Sequence, residues 1–178
     1  MIFNVAQLLK ANTGSTLRVD LDDEDSLDLA DGEATLAGPV TGSVRLHRTN
    51  QGIFADGTAA VPVELECTRC LTQFVTTIEV PLREQYYPTI DVNTGEPVSP
   101  PDDELAFPID RNHQLDMREA IRQNLVVAIP MRTLCREDCA GLCPQCGHDL
   151  NLGTCNCELE PADTRFAALK ALLDVSDS

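Results

Sequence analysis

The chain has little positive charge. Of its 178 residues thirteen are lysine or arginine, and the lysines are only Lys10 and Lys170. Acids number 29, and the net charge is −16. Such a surface favours solubility and repels polyanions at long range. By itself it argues against a general nucleic-acid binder. No apolar run approaches the roughly 20 residues of a transmembrane helix. The opening Met-Ile-Phe-Asn-Val-Ala-Gln has no basic leader, so the expectation is a cytoplasmic protein with no membrane partner. There is no P-loop and no dinucleotide fingerprint. No Ser–His–Asp or Cys–His arrangement is suggested, and the carboxylates are too scattered to nominate an acid/base pair. The sequence makes no case for an enzyme, a catalytic residue or a small-molecule substrate.

What is present is cysteine, eight in all. Six lie between Cys135 and Cys157, and the other two form Cys67-Thr-Arg-Cys70 far upstream. Eight thiols make two sets of four, which is what two tetrahedral metal sites need. In Cys143-Pro-Gln-Cys146-Gly147 two residues separate the sulfurs, so both can face one ion from a tight turn. Gly147 lets the chain leave with positive φ, and backbone N–H groups in such a turn can point at the thiolates. Cys155-Asn-Cys157 adds two more sulfurs and closes one local site. Cys67, Cys70, Cys135 and Cys139 remain for a second, which would clip the middle of the chain to its C-terminal part. Spacing alone does not separate the roles of Cys139 and Cys143. Two structural zinc ions are the expected cofactors, each contributing about 10–16 kcal/mol of binding free energy to folding.

Other uses of cysteine are weighed against metal. A disulfide framework conflicts with the missing secretory signal. A redox Cys-x-x-Cys should open a helix after a strand, whereas Leu71-Thr-Gln-Phe-Val resumes strand-like sequence. An iron–sulfur cluster also uses four thiolates, and spacing does not exclude it. The histidines are His47, His113 and His148. Of these, His148 is close enough to Cys146 to replace a sulfur, but eight thiols leave it unneeded.

The chain is long enough to bury a real core. The fold class expected is α+β: an antiparallel sheet with a few helices and a C-terminal, cysteine-rich, zinc-ribbon-like module. The domains expected are 1–130 for sheet plus helix and 131–178 for the metal module and a C-terminal helix, packed as one folding unit. Residues 2–10 read as a short amphipathic helix or turn. Thr16-Leu-Arg-Val-Asp reads as a strand, leading into a solvated acidic loop from Asp22 to Gly32. That loop lacks the ordered ligand spacing of a calcium loop.

From Ala34 to Val80 the period is two. Val40, Val44 and Leu46 alternate with polar residues, and Thr49-Asn-Gln-Gly-Ile signals a turn. Val61, Val63 and Leu65 alternate up to Cys67. Phe74, Ile78, Val80 and Leu82 continue the pattern, so the upstream cysteine pair sits at a strand-to-strand connection. Residues 87–104 are Pro-rich and acidic and read as a flexible loop or linker, after which Leu105-Ala-Phe-Pro-Ile returns briefly to the sheet. Asp116-Met-Arg-Glu119 matches a capping box. Met117, Ile121, Leu125 and Ala128 follow at helical spacing, Val126, Val127 and Ile129 widen the apolar face, and Pro130 stops the helix. Arg118 and Arg122 read as its solvated side. Asp163 opens a C-terminal helix carrying Phe166, Leu169, Leu172 and Leu173. Charge is uneven along the chain: residues 19–33 hold eight acids and no base, while 105–136 hold five arginines against three acids.

These residues together resemble a known family. Cys67-Thr-Arg-Cys70-Leu71, the helix ending Val-Ala-Ile-Pro130, the run from Leu134 to Asn151, and Cys155-Asn-Cys157 look like the YceD family of large ribosomal RNA subunit accumulation proteins. Asp163-Thr-Arg165, Phe3-Asn-Val-Ala-Gln-Leu-Leu, Gly38-Pro-Val-Thr-Gly and Arg48-Thr are similar too. Thr164 departs from the family, which has proline there. The resemblance implies a small, non-enzymatic bacterial or chloroplast protein needed for large-subunit ribosomal RNA to accumulate. Some members lack the segment matching Cys143–Cys157, which implies two separable sites. The partner expected is large-subunit ribosomal RNA or a basic large-subunit ribosomal protein. A redox or iron–sulfur protein is the alternative. A zinc-ribbon module in transcription is weaker, because no concentrated basic or aromatic surface is evident.

Overall fold

A computed structural model describes residues 1–23, 34–99 and 107–157. In chain order the elements are β1 (Ile2–Asn4), α1 (Ala6–Lys10), β2 (Thr16–Asp23), β3 (Thr35–Leu36), β4 (Val40–Arg48), β5 (Ile53–Glu66), β6 (Gln73–Pro88), β7 (Phe107–Ile109), β8 (Gln114–Asp116) and α2 (Arg118–Ala128). The strands form one sheet in the order β1-β8-β7-β6-β5-β4-β2, with β3 added to β5. The chain divides into two compact units, Met1–Thr68 with Thr72–Cys135, and Arg69–Leu71 with Arg136–Ser178. The sheet and both helices lie in the first.

Period-two alternation builds the sheet as the sequence predicts. Val61, Val63 and Leu65 of β5 face inward with Val80, Leu82 and Tyr86 of β6, all essentially buried. Val44 and Leu46 of β4 join them. Each such aliphatic side chain contributes about 1.5–3 kcal/mol on full burial. The turn at Thr49 forms as well: its N–H donates to Gly52 O, 3.0 Å, and its Oγ1 accepts the Gly52 N–H, 3.1 Å. Arg48 braces that turn from β4. Its Nε donates to Leu9 O, 3.1 Å, at the end of α1, and its Nη1 donates to Gly52 O, 3.0 Å.

Several expectations are corrected. The sheet is mixed, because β7 runs parallel to β6 with Tyr86 opposite Phe107. A parallel return needs a connection of a dozen or more residues, and the segment after Pro88 supplies it. Residues 2–10 are not one helix. Ile2 lies in β1 opposite Asp116 and is half exposed, while Val5, Leu8 and Leu9 are buried. Asp22 and Asp23, read as the start of the acidic loop, extend β2 opposite Thr41 and Val40.

Of the two readings of the Pro-rich stretch, the loop holds for the described part, up to Ser99, which has its own turn. Tyr87 and Pro88 end β6, Ile90 bridges to Pro97, and Asp91 Oδ1 accepts the N–H groups of Asn93 and Thr94 at 2.8 and 2.9 Å. This is an Asx turn. It holds the Asp91 carboxyl below its usual range. The rest of the acidic loop, Pro100 to Ala106 and the C-terminal helix from Asp163 lie outside the described residues.

α2 packs Ala120, Ile121 and Leu125 inward and ends at Ala128, with Ile129 extended before Pro130 (ψ 124°), as proline requires of its predecessor. The capping box does not form. The N-cap is Met117, without a side-chain cap. Asp116 is instead drawn into β8, and its carboxylate takes the Arg118 N–H at 3.0 Å and the Arg118 guanidinium at 2.5 Å. Glu119 pairs with Arg122, 2.7 Å, and Gln123, 2.8 Å. Val126 and Val127 do not widen the apolar face: Val127 is 85 % exposed.

Candidate metal centres

Each cysteine cluster begins at a tight turn. The first turn caps the β5–β6 hairpin. Cys67 is buried at the end of β5, and its N–H donates to Thr72 O, 3.0 Å. The chain after α2 is tied to the same hairpin. The Thr68 N–H and Oγ1 both donate to Thr133 O, at 2.8 and 3.0 Å, and Thr133 Oγ1 donates to Glu66 O, 2.5 Å. These bonds deliver Cys135, two residues on.

The second turn, Cys143-Pro-Gln-Cys146-Gly147, repeats the pattern. The Cys143 N–H donates to His148 O, 2.8 Å, five residues on, as Cys67 does to Thr72. The Gly147 N–H returns to Cys143 O, 2.9 Å, and Leu142 bridges Asp149 across the base of the turn. The residue after the second cysteine is left-handed in both turns: φ is 72° at Gly147 and 59° at Leu71. Glycine takes this conformation without cost, whereas leucine is strained in it.

The sulfurs fall into two groups of four. Cys67, Cys70, Cys135 and Cys139 have Sγ atoms all within 4.8 Å of one another, and so do Cys143, Cys146, Cys155 and Cys157. This grouping separates Cys139 from Cys143, which spacing could not do. Four thiolates so placed are positioned to hold a thiophilic metal ion in tetrahedral coordination. The first tetrad is buried apart from half-buried Cys135, while in the second only Cys143 is buried. His148 is exposed and belongs to neither group, and nor do His47 and His113.

Electrostatics in the second turn favour an anionic sulfur. The N–H groups of Cys146 and Gln145 point at Cys143 Sγ and hold its thiol down at about 6. Cys157 is pushed up to about 12, chiefly by its hydrogen bond with Cys146 and then by burial. Thiols crowded together cannot all ionise without a cation between them.

Asn151 escaped the sequence reading. Its Nδ2 lies 3.5 Å from Cys139 Sγ and 2.6 Å from Asp149 Oδ1. Its Oδ1 accepts from the Ala140 N–H, 2.7 Å, and from Arg136 Nη2, 2.6 Å. One amide thus orients a cysteine and the loop carrying it. An asparagine in a loop is too common to have marked this role. Gly141 stands beside it at φ 78°, where a Cβ would meet Arg69 O at 3.1 Å.

Comparison with known proteins places the sequence in a family. Residues 55–173, which include all eight cysteines, match the family described as Large ribosomal RNA subunit accumulation protein YceD. The chain belongs to the YceD family. Curated relatives with a similar sequence are uncharacterized. Proteins of Mycobacterium bovis and Mycobacterium tuberculosis are each 34 % identical over 105 residues, covering 58 % of this chain and 48 % of theirs. One from Mycobacterium leprae is 28 % identical over 115 residues, covering 63 % and 49 %. The chain therefore spans about half the length of the curated relatives it matches. No solved structure matches this YceD chain. Among its described residues no helix is long and apolar enough to cross a membrane.

Proposed function

We propose that this chain is a non-catalytic, cytoplasmic factor in large-subunit ribosome biogenesis, needed for the large ribosomal RNA to accumulate, and that two structural zinc ions stabilise it. The observation that carries the reading is the family match over residues 55–173, which spans both cysteine tetrads.

Cys67, Cys70, Cys135 and Cys139 would hold one ion, and Cys143, Cys146, Cys155 and Cys157 the other. The donor set fits zinc. Zn–S bonds of about 2.3 Å put tetrahedral sulfurs about 3.8 Å apart, so sulfurs within 4.8 Å need only small adjustments to close. With four protein ligands each site is coordinatively closed, which is the structural rather than the catalytic pattern. The first ion would close a long loop of chain and the second a short one, and both would count towards folding.

The test is depletion of the protein in its own cell, with ribosome gradients and large-subunit RNA quantified. Selective loss of large-subunit particles and their RNA is expected, and unchanged particles would overturn the assembly role. Metal analysis of the purified protein is expected to return two zinc ions. Iron with a visible absorption band would favour the iron–sulfur reading instead.

A further inference from the structure

We propose that the outward face of strands β2, β4, β5 and β6 binds single-stranded RNA through a cross-strand row of arginines. The pairing register puts Arg18 opposite Arg45, Arg45 opposite Asp56, and Asp56 opposite Arg83. Three guanidinium groups and one carboxylate thus line one row across four strands, on a chain whose net charge is −16. All four side chains point away from the core.

Two features make this row more than a solvated face. Like charges directly opposite in a sheet are destabilising, yet Arg18 and Arg45 are direct partners in a chain rich in acids. Asp20, 3.6 Å from Arg18, offsets part of that cost, and an anion between the two guanidinium groups would offset the rest. The row also borders a depression of about 310 Å³ lined by Arg18, Ser43, Arg45, Asp56 and Thr58. Arg18 Nη2 donates there to Ser43 Oγ, 3.2 Å, and the Arg45 guanidinium with the Ser43 and Thr58 hydroxyl protons is left to meet the acceptor oxygens of a phosphodiester. The carboxylates are already engaged: Asp20 pairs with Arg18 at 3.6 Å and Asp56 with Arg83 at 3.5 Å. Both pairs are well exposed and so exchange readily. Arg45 has no carboxylate partner among the described residues.

The neighbouring row favours RNA over an acidic protein segment. There His47 stands opposite Phe54, with ring centroids 6.4 Å apart and both side chains partly exposed. They lie two residues along, about 7 Å from the arginine row. Rings beside guanidinium groups on an open sheet suit unstacked bases and their phosphates. Such a face cannot enter the narrow major groove of an RNA duplex. Exposed charges more than about 8 Å away are largely screened at physiological salt, so the acids that count are those on this face: Asp20 and Asp56, each paired with an arginine, and beyond them Asp22 and Glu79. Binding is therefore confined to one end of the sheet. The inference rests on the assembly reading for the source of the RNA, but not for the chemistry of the face.

The probe is a mixed-sequence, fluorescein-labelled single-stranded RNA, titrated with the zinc-loaded chain at several salt concentrations. The Arg18→Ser/Arg45→Ser/Arg83→Ser variant is expected to bind at least about tenfold more weakly at low salt. Its slope of log K against log salt is expected to be about 2 units shallower, from about 0.7 per lost phosphate contact. Phe54→Ala is expected to weaken binding about tenfold while leaving the slope unchanged. Arg111→Ser, in the β7–β8 turn, should bind as the parent does. Should the triple variant fail to fold, Arg45→Gln alone is expected to make the slope shallower by about 0.7. Parent-like affinity and slope in the arginine variants overturn the proposal. So does a parent that binds no RNA, or one that binds a polyglutamate peptide in its place. If depletion still removes large-subunit particles after such a result, the assembly role stands and only this surface falls.

Discussion

Leu71 and Gly147 occupy the same place in two copies of one turn. Each follows the second cysteine of a Cys-x-x-Cys, and each is left-handed, at φ 59° and 72°. In each turn the first cysteine donates its N–H to the carbonyl five residues on. The turn geometry thus dictates the backbone, and the residue type only decides how much strain it carries.

The two positions should respond oppositely to substitution. Leu71→Gly relieves about 1–2 kcal/mol of left-handed strain, offset by about 0.5–1 kcal/mol of glycine chain entropy. Leu71 is more than half exposed, so little burial is lost. Its melting temperature is expected to match or slightly exceed the parent's. Gly147→Leu is expected to lose about 1–2 kcal/mol. Thermal melts of the metal-loaded proteins check both, and equal losses would refute the shared-turn account.

The tetrads predict metal stoichiometry. Cys146→Ser and Cys70→Ser are each expected to lower bound metal from two ions to one. Only Cys70→Ser is expected to lower the melting of the sheet, because its turn closes the β5–β6 hairpin. Elemental analysis and far-ultraviolet melts read the two effects separately. Two ions retained in both variants would show the ligand sets to be wrong.

Asn151→Ala should weaken one site without removing a ligand. The amide orients Cys139 and Ala140, and loss of such an outer partner typically costs about 10–100-fold in metal affinity. Chelator competition is expected to strip one ion earlier than in the parent, the other being unchanged. Loss of both ions together would mean that Asn151 supports the fold as a whole.

Glu119 makes a pH-dependent contribution with a definite sign. Hydrogen bonds from Arg122, then Gln123, lower its carboxyl to about 2. A depressed carboxyl stabilises the fold above its unfolded value, near 4.3, and that stabilisation is lost as pH falls towards 2. The group is largely solvated, so the effect is expected to stay within about 1 kcal/mol. Glu119→Gln is expected to melt slightly below the parent at pH 7 and to converge with it near pH 2. A gap that persists at pH 2 would assign the difference to packing.

Local pattern determined the local parts of this protein. Alternation over Val61–Leu65 and Phe74–Leu82 marked β5, β6 and their buried face, because side chains on a strand alternate whatever they pair with. Pro130 marked the end of α2, and eight cysteines in short spacings marked the two groups of four that could hold metal. Other features depended on which segments meet in space. Asp116 reads as a helix cap but was claimed by β8 through its pairing with β1. Val127 reads as core but is exposed, with no described element covering it. Cys139 and Cys143 were assigned to different tetrads only by the tertiary arrangement. The row from Arg18 to Arg83 is invisible along the chain, since its members lie far apart in sequence. Cross-strand register sets it, and register is a property of pairs of strands rather than of any one of them.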